Sequence, residues 1–486
     1  MVQTKPTISL EANTERTITG TRWYVLMVGL GLLVAAAISP LHRGITGDAL
    51  WHLTDGRWIL AHHQIPRINP FGWSTGNTPW INLEWGWDVV TAAMVKVFGW
   101  SGLLLWLGST MAIVAWAQRM RWQALKVSPL AQGDWIFLTL IGIATFWAWR
   151  PQLVSYAMIP LWLWTLESAE HNTQRLWWLV PQLIVWESLH GGYLLGLLVL
   201  ILWLGHRLWP SSRPMHRMDW YHIGAVLGLL GLALGLTPWG WDDIAHAVWE
   251  TQNPVIAATI SEWQSPNFHR LWWIAVLGLP TLAVALRVWL YPESRQRVSR
   301  FHWIVWAVLL GGTLMAVRNY PFFVEQTAIV GAGIGLWQPQ KRVPPIPRWI
   351  VGGILGITAV GIIPFARMWL TVHPGVPQPV IAQLKQQPGR VLNGYRVGDG
   401  LVYEGIPDSL DGRTDLFIAA NHWFQSSLNA ENGVYPWSAL RQWMAREHVR
   451  YVLWPTTRAG TQELLGRSGV EVLYHSKQLT LFQLQN

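Results

Sequence analysis

Apolar runs alternate with short polar clusters from residue 23 to residue 366, and the runs are long enough to predict helices rather than strands. A helix that crosses a bilayer needs about 17–25 mostly apolar residues. The pattern predicts spans at 23–40, 101–118, 135–149, 153–167, 176–188, 191–208, 221–237, 271–290, 303–317, 320–337 and 348–366. Several are short, so their ends take in flanking Trp and Tyr at the headgroup level. Segment 84–99 is also apolar but carries Glu84, Asp88 and Lys96, and reads as a helix at or partly in the interface. The first run could instead be a cleaved leader, since VAAAIS offers small residues; an uncleaved first helix is the preferred reading.

The pattern changes near residue 370. From Pro374 onward, charges and turn residues are frequent and no run is long enough to span. VLNGYRV, GLVYEG, VRYVLW, VEVLYH and LTLFQL predict short strands; WSALRQWMAREH and TQELLGRS predict helices. The tail therefore reads as a small α/β domain over 371–486. In it, PDSLDGRTDL reads as a charged loop between elements, with Asp408, Asp411, Arg413 and Asp415.

Composition agrees with a membrane protein. Of 486 residues, 51% are hydrophobic, only 13% are charged and 38 are Trp. Soluble domains carry about 25% charged residues, so this chain lacks the polar surface of an ordinary globular enzyme. Cys is absent, which excludes disulfides, thiolate metal sites and a cysteine nucleophile. The net charge of +9 bears on sidedness rather than on nucleic acid. With residues 1–22 placed in the cytoplasm, most clustered Lys and Arg fall in inside loops: 119–126, 168–175, 207–217, 295–300 and 341–348. Segments 41–100, 187–190, 238–270 and the tail are then outside. The expected fold class is a polytopic α-helical membrane protein of the plasma membrane, with about 11 transmembrane helices over 23–370. It has a large first extracytoplasmic loop and a small C-terminal extracytoplasmic α/β domain.

The outer segments collect the residues with chemistry. Asp48, His52 and Asp55 recur at i, i+4 and i+7, which puts them on one face of a helix predicted to face a cavity. Asp48 also suits a helix N-cap. His52, His62 and His63 with Asp48 form the one conceivable metal set; no other cofactor is indicated, and polar neighbours at an interface are the simpler reading. Arg150 and Arg318 each sit between two apolar runs, where an Arg pairs with an anion or lines a wet cavity. A guanidinium fork matches a phosphate, so a lipid-linked phosphate is the natural partner; snorkelling to bulk lipid headgroups is the alternative. Glu84, His190 and Glu262 complete the outer polar set.

The order of motifs resembles that of bacterial polytopic proteins related to the type C glycosyltransferase (GT-C) superfamily, which includes the protein O-mannosyltransferases and the aminoarabinose transferase. The matching residues are Asp48–Leu50–Trp51–His52–Leu53 with Gly56 and Ile59, Ile65–Pro66, Pro70–Phe71, Pro79–Trp80 and Glu84–Trp85. Further along come Arg150–Pro151–Gln152, Trp186 with His190–Gly191–Gly192, Glu262–Trp263 and Arg318–Asn319. In the tail they are Asn393–Gly394–Tyr395, Gly398 and Asp411–Gly412–Arg413. Asn69 and Gly72 depart from the usual Asp and Ser, and Thr237–Pro238–Trp239–Gly240 stands where Asn-Pro-x-Gly is frequent.

The resemblance implies a donor sugar on a polyprenyl phosphate and an extracytoplasmic glycan, lipid or protein acceptor. It makes Asp48 the general base, seconded by Glu84. Arg150, Arg318 and His190 would hold the donor phosphate, with His52, Asp55 and Glu262 as further cavity residues. A carrier or envelope-polymer assembly factor on the same scaffold, or a transporter, is the competing expectation.

Overall fold

The protein was analysed as a computed structural model that describes residues 7–209, 214–337, 347–420 and 423–485. Most of the inside loop 341–348 lies outside the described residues, as do 210–213 of loop 207–217 and Lys5 of the N-terminal tail. The chain forms two compact units. One comprises Met1–His42, Leu104–Leu236 and Ala257–Trp369; the other comprises Arg43–Leu103, Thr237–Ile256 and Leu370–Asn486.

The first unit is helical, and helical structure stands at each predicted span. Four helices are long and apolar enough to cross a membrane: Thr19–Ile38, Ser101–Ala124, Leu271–Leu290 and Trp349–Trp369. Pro129–Ala144, Tyr193–Arg207 and Arg300–Met315 are apolar but shorter, reaching only about 24 Å at 1.5 Å per residue. Leu271–Leu290 and Trp349–Trp369 bury only 11% and 6% of their most apolar windows. Such surfaces would be untenable in water, so this is an integral membrane protein. The 271–290 helix carries a π-turn at Ile274–Gly278. Pro280 follows directly; it cannot donate to residue 276 and its ring crowds that carbonyl, which accounts for the shifted register.

Packing accounts for several of the Trp in the helical unit. Their rings lie on glycines: a Cβ at Gly133 would come 2.5 Å from the Trp23 ring, one at Gly196 2.5 Å from Trp186, and one at Gly331 2.7 Å from Trp135. Several indole N–H groups donate to a neighbouring helix, Trp122 to the Ala328 carbonyl, Trp186 to Ser155 Oγ and Trp306 to Thr327 Oγ1. Large rings on bare backbone give close helix contact without a hydrophobic driving force between helices.

The second unit holds a four-stranded sheet of order β1-β2-β4-β3, with β1 Arg390–Asn393, β2 Val449–Pro455, β3 Val470–His475 and β4 Leu479–Leu484. β1 and β2 are parallel, and the other pairs are antiparallel. VRYVLW, VEVLYH and LTLFQL are strands as the alternation predicts. GLVYEG is not. Residues Tyr395–Tyr403 form a helix whose Val397, Leu401 and Val402 are buried. Gly398 and Gly400 take that helix onto the backbone carbonyls of Leu410 and Pro374, where any Cβ would overlap. Tertiary contact thus overrides the strand preference of Val and Tyr.

Two further helices of this unit, Asp48–His62 and Trp85–Phe98, cross at Gly56, where a Cβ would overlap the Asp88 carbonyl. At 14 residues, Trp85–Phe98 reaches about 21 Å and is too short to span.

Candidate functional site

Asp48 opens its helix, but Gly47 is the N-cap, at φ 54°, which a glycine adopts without strain. The capping reading of Asp48 therefore does not hold, although an acid in the first turn still suits the helix dipole. Asp48 is half-buried. A Cβ at Gly412 would overlap Asp48 Oδ1 and would lie 3.0 Å from both Asp399 Oδ1 and Trp51 Nε1. The Gly412 amide donates to Asp399 Oδ1 at 2.8 Å. The Trp51 indole N–H is buried and has no hydrogen-bond partner among the described residues. The bare Cα of Gly412 thus lets this backbone pack directly against two carboxylates and the Trp51 indole N–H. Burial, with Asp48 and Asp411 nearby, pushes the Asp399 carboxyl well above the usual range, toward neutrality.

His52 and Asp55 share a face with Asp48 by spacing, but those two are packed in the interior instead of facing a cavity. Both are buried, at 3% and 0% exposure, against the Trp85–Phe98 helix. His52 Nδ1 lies 2.6 Å from Asp88 Oδ1, and Asn82 donates to Asp55 Oδ2 at 2.9 Å and Asp88 Oδ2 at 2.7 Å. Burial holds both carboxyls well above their usual range, and at Asp55 the neighbouring Asp88 adds to it. This cluster locks two helices together. It also removes His52 from the conceivable metal set; His62 and His63 are exposed at the helix end, and among the described residues no three His, Asp or Glu could hold an ion together. Glu84 is half-buried at the N-cap of Trp85–Phe98, its amide donating to Asn82 Oδ1 at 2.9 Å.

The segment PDSLDGRTDL is not a solvated loop. Asp408, Asp411 and Arg413 are at most 2% exposed. Arg413 makes a bidentate pair with Asp411, donates to Asn69 Oδ1 at 2.7 Å, and has its guanidinium carbon 4.9 Å from the Trp80 ring and 5.3 Å from Phe71. Burial opposes its charge, but Asp411 outweighs that and holds it protonated. Asn69 and Gly72 are both built into this cluster. Asn69 Oδ1 also accepts from the amides of Phe71 and Gly72, and a Cβ at Gly72 would come 2.7 Å from Asp408 Oδ1. Asn393 ties the same loop to β1, donating to the Leu410 carbonyl and accepting from the Ser409 amide.

Asp415 ends this stretch and meets His246 Nε2 at 3.0 Å. Burial opposes the imidazolium, but the hydrogen bond and charge of Asp415 raise His246 above its ordinary 6.5. A raised folded-state value means that the contact stabilises fully below the unfolded-state pKa and fades as pH rises through the folded-state one. The melting temperature should therefore fall as pH is raised from 6.5 toward about 8, and His246→Gln should flatten that slope. An unaltered slope in the variant would remove His246 from the account.

In the helical unit, Arg150, Gln152, Tyr156, Glu262 and Arg318 line one cleft, with Phe146, Ala148 and Leu153. Arg150 Nη1 bonds Glu262 Oε2 at 3.1 Å, and both side chains are about one-third exposed. The Arg318 guanidinium lies 4.1 Å from the Trp263 ring centre, a cation–π contact that leaves its N–H edge directed elsewhere. Gln152 Oε1 is buried without a hydrogen-bond partner among the described residues. His190 is not among the lining residues. Its Nδ1 accepts from the Gly192 amide at 3.2 Å and lies 2.6 Å from Ser155 Oγ, so the ring proton belongs on Nε2.

Sequence reasoning therefore placed Arg150, Glu262 and Arg318 together but missed Asp399, Asn82 and Asp88 as partners, and read Asp408–Arg413 as surface. A signal was present at Asp88, an acid on the helix face shared with Trp87, Thr91 and Ala92.

No protein-family model matches the chain, and no curated protein matches it by sequence. Solved structures do match. The Archaeoglobus fulgidus oligosaccharyltransferase tethered to an acceptor peptide containing the NVT sequon aligns with 96% of this chain and 74% of its own, at TM-score 0.57 and 10% identity. The oligosaccharyltransferase AglB of the same organism, in complex with an inhibitory peptide and a dolichol-phosphate, aligns with 89% and 69%, at TM-score 0.50 and 10% identity. ArnT from Cupriavidus metallidurans bound to undecaprenyl phosphate aligns with 95% and 97%, at TM-score 0.54 and 13% identity. Both kinds of neighbour are GT-C superfamily members, and identities this low speak for architecture rather than substrate. The chain has the fold of the type C glycosyltransferases.

Proposed function

We propose that the protein is a membrane glycosyltransferase that transfers a sugar from a polyprenyl-phosphate donor to an extracytoplasmic acceptor. The observation that carries this reading is a pair of guanidinium groups, Arg150 and Arg318, lining one cleft of a GT-C fold whose neighbours include a structure bound to undecaprenyl phosphate and one bound to dolichol-phosphate. Transfer breaks the bond between the sugar's anomeric carbon and the phosphate oxygen, and forms one to the acceptor oxygen. The acceptor proton goes to a base, and the phosphate leaves with its negative charge.

Each need has a candidate. Arg150 and Arg318 stabilise the departing phosphate, because charged donors aimed at developing charge are worth most in a partly dehydrated site. Arg150 is held by Glu262 and Arg318 by Trp263, so both are oriented before donor arrives. Asp48 takes the acceptor proton. Its place in the first turn of the Asp48–His62 helix, half-buried beside Gly412 and the Trp51 indole, supports that role. Asp399, driven toward its neutral form, leaves Asp48 as the acid reached by solvent. Glu84 is a second candidate base. On this reading the N-terminus is cytoplasmic and residues 371–486 are outside.

Binding of undecaprenyl phosphate in detergent tests the cation pair. Arg318→Ala should weaken it by about tenfold or more, as expected for loss of a charge-assisted contact worth about 1.5–3 kcal/mol. Arg318→Ala that binds as the parent does would remove Arg318 from the phosphate site.

A further inference from the structure

A second polar cavity lies elsewhere in the helical unit, and the glycosyltransferase reading does not use it. It has a volume of about 280 Å³, room for about nine waters. Glu170, Thr173, Arg207, Asp219 and His222 are among its lining residues, contributed by the ends of Gln152–Ala169 and Tyr193–Arg207 and by the start of Arg217–Leu234. This is the end that the positive-inside pattern places in the cytoplasm.

Arg207 is only 6% exposed, so it is no snorkelling side chain, and its Nε has no hydrogen-bond partner among the described residues. No ion pair involving Arg207 is found among the described residues. Asp219 accepts from the Thr173 hydroxyl at 2.8 Å with one oxygen and from the His216 amide at 2.8 Å with the other, where it closes a capping box. Glu170 Oε1 is buried without a hydrogen bond, 3.7 Å from His206 Nε2. His222 Nδ1 accepts from the Trp177 indole at 3.1 Å, which leaves its Nε2 as a further donor. Burial raises the Glu170 carboxyl above its ordinary value, with Arg207 acting against that.

A buried guanidinium N–H and a buried carboxyl oxygen that lack hydrogen bonds are each costly, and water, an ion or a ligand can supply the missing partner. Their demands differ. Arg207 requires an acceptor, preferably anionic; Glu170 requires a donor such as a hydroxyl. We infer that this cavity binds a phosphate ester bearing free hydroxyl groups, with Arg207 on the phosphate and Glu170 on a hydroxyl. Two sources share that chemistry: the headgroup of a phosphatidylglycerol-type lipid, and a soluble polyol phosphate.

Calorimetric titration of the purified full-length protein with glycerol 3-phosphate and with inorganic phosphate tests the soluble source. Retention of phosphatidylglycerol over phosphatidylcholine from mixed nanodiscs, read by mass spectrometry, tests the lipid source. Arg207→Gln should cut binding of the preferred probe by tenfold or more. Glu170→Gln should remove the preference for glycerol 3-phosphate over inorganic phosphate, or for phosphatidylglycerol over phosphatidylcholine, and serves as the test should Arg207→Gln fail to fold. Arg446→Gln, at an exposed position among residues 371–486, should change neither. Saturable binding of none of the probes, or binding indifferent to both cavity substitutions, would overturn the inference.

Discussion

Asp48→Asn is expected to lower sugar transfer by about 10²–10⁴-fold, the usual worth of a general base, while leaving undecaprenyl phosphate binding within a factor of two or so. Asn keeps the size and one hydrogen-bonding oxygen of Asp but cannot take a proton. The substitution therefore separates proton transfer from packing around Gly412, whose missing Cβ makes room for Asp48 Oδ1. The measurement is release of polyprenyl phosphate from a panel of lipid-phosphate-linked sugars in proteoliposomes, parent against variant. A variant with undiminished turnover would reject Asp48 as base and make Glu84 the next residue to replace. A parent that binds undecaprenyl phosphate but turns over nothing in the panel would favour the carrier reading of the same scaffold.

The second large effect is structural. Arg413→Met should destabilise the unit built from residues 43–103, 237–256 and 370–486 by about 3–5 kcal/mol, because it leaves Asp411 as a buried charge without its partner. Asp408 is also fully buried, with neither carboxyl oxygen hydrogen-bonded among the described residues, and burial with Asp411 beside it pushes it well above the usual range. Loss of the one cation among these acids would raise the cost of ionising any of them. Thermal unfolding should show a drop on the order of 10 °C. Asp411→Asn added to Arg413→Met should recover part of it, since the double change removes both charges. A drop of less than about 1 kcal/mol in the single variant would mean that water reaches this loop and the pair is a surface one.

Much of the architecture was written in the pattern. A helix needs only its own residues to satisfy its backbone, so each apolar run of adequate length declared itself, and three strands were legible as β-branched and aromatic runs between turn residues. The helix Tyr395–Tyr403 was not legible, because Val, Leu and Tyr in that order suit a strand equally well. What decides for helix is the approach of Gly398 and Gly400 to the backbone of Leu410 and Pro374, contacts that sequence spacing does not encode. The charged stretch Asp408–Arg413 misled for a related reason. Three charges in six residues normally mean solvent, and only the fold surrounds Arg413 with Asp411, Asn69 and aromatic rings, so that the group is stable without water.

By itself, then, the sequence determined that this is a membrane protein, where its long apolar helices lie, which segments hold its acids and cations, and which superfamily its motif order resembles. These follow from local quantities: apolar length, periodicity and spacing. Tertiary structure alone decided which charges meet. It joined Arg150 and Glu262 across more than a hundred residues, committed His52 to Asp88 instead of to a cavity, and left Asp48 beside a glycine. The pairing energy of a charge depends on its partner's position and on the dielectric around both, and neither exists until the chain has folded.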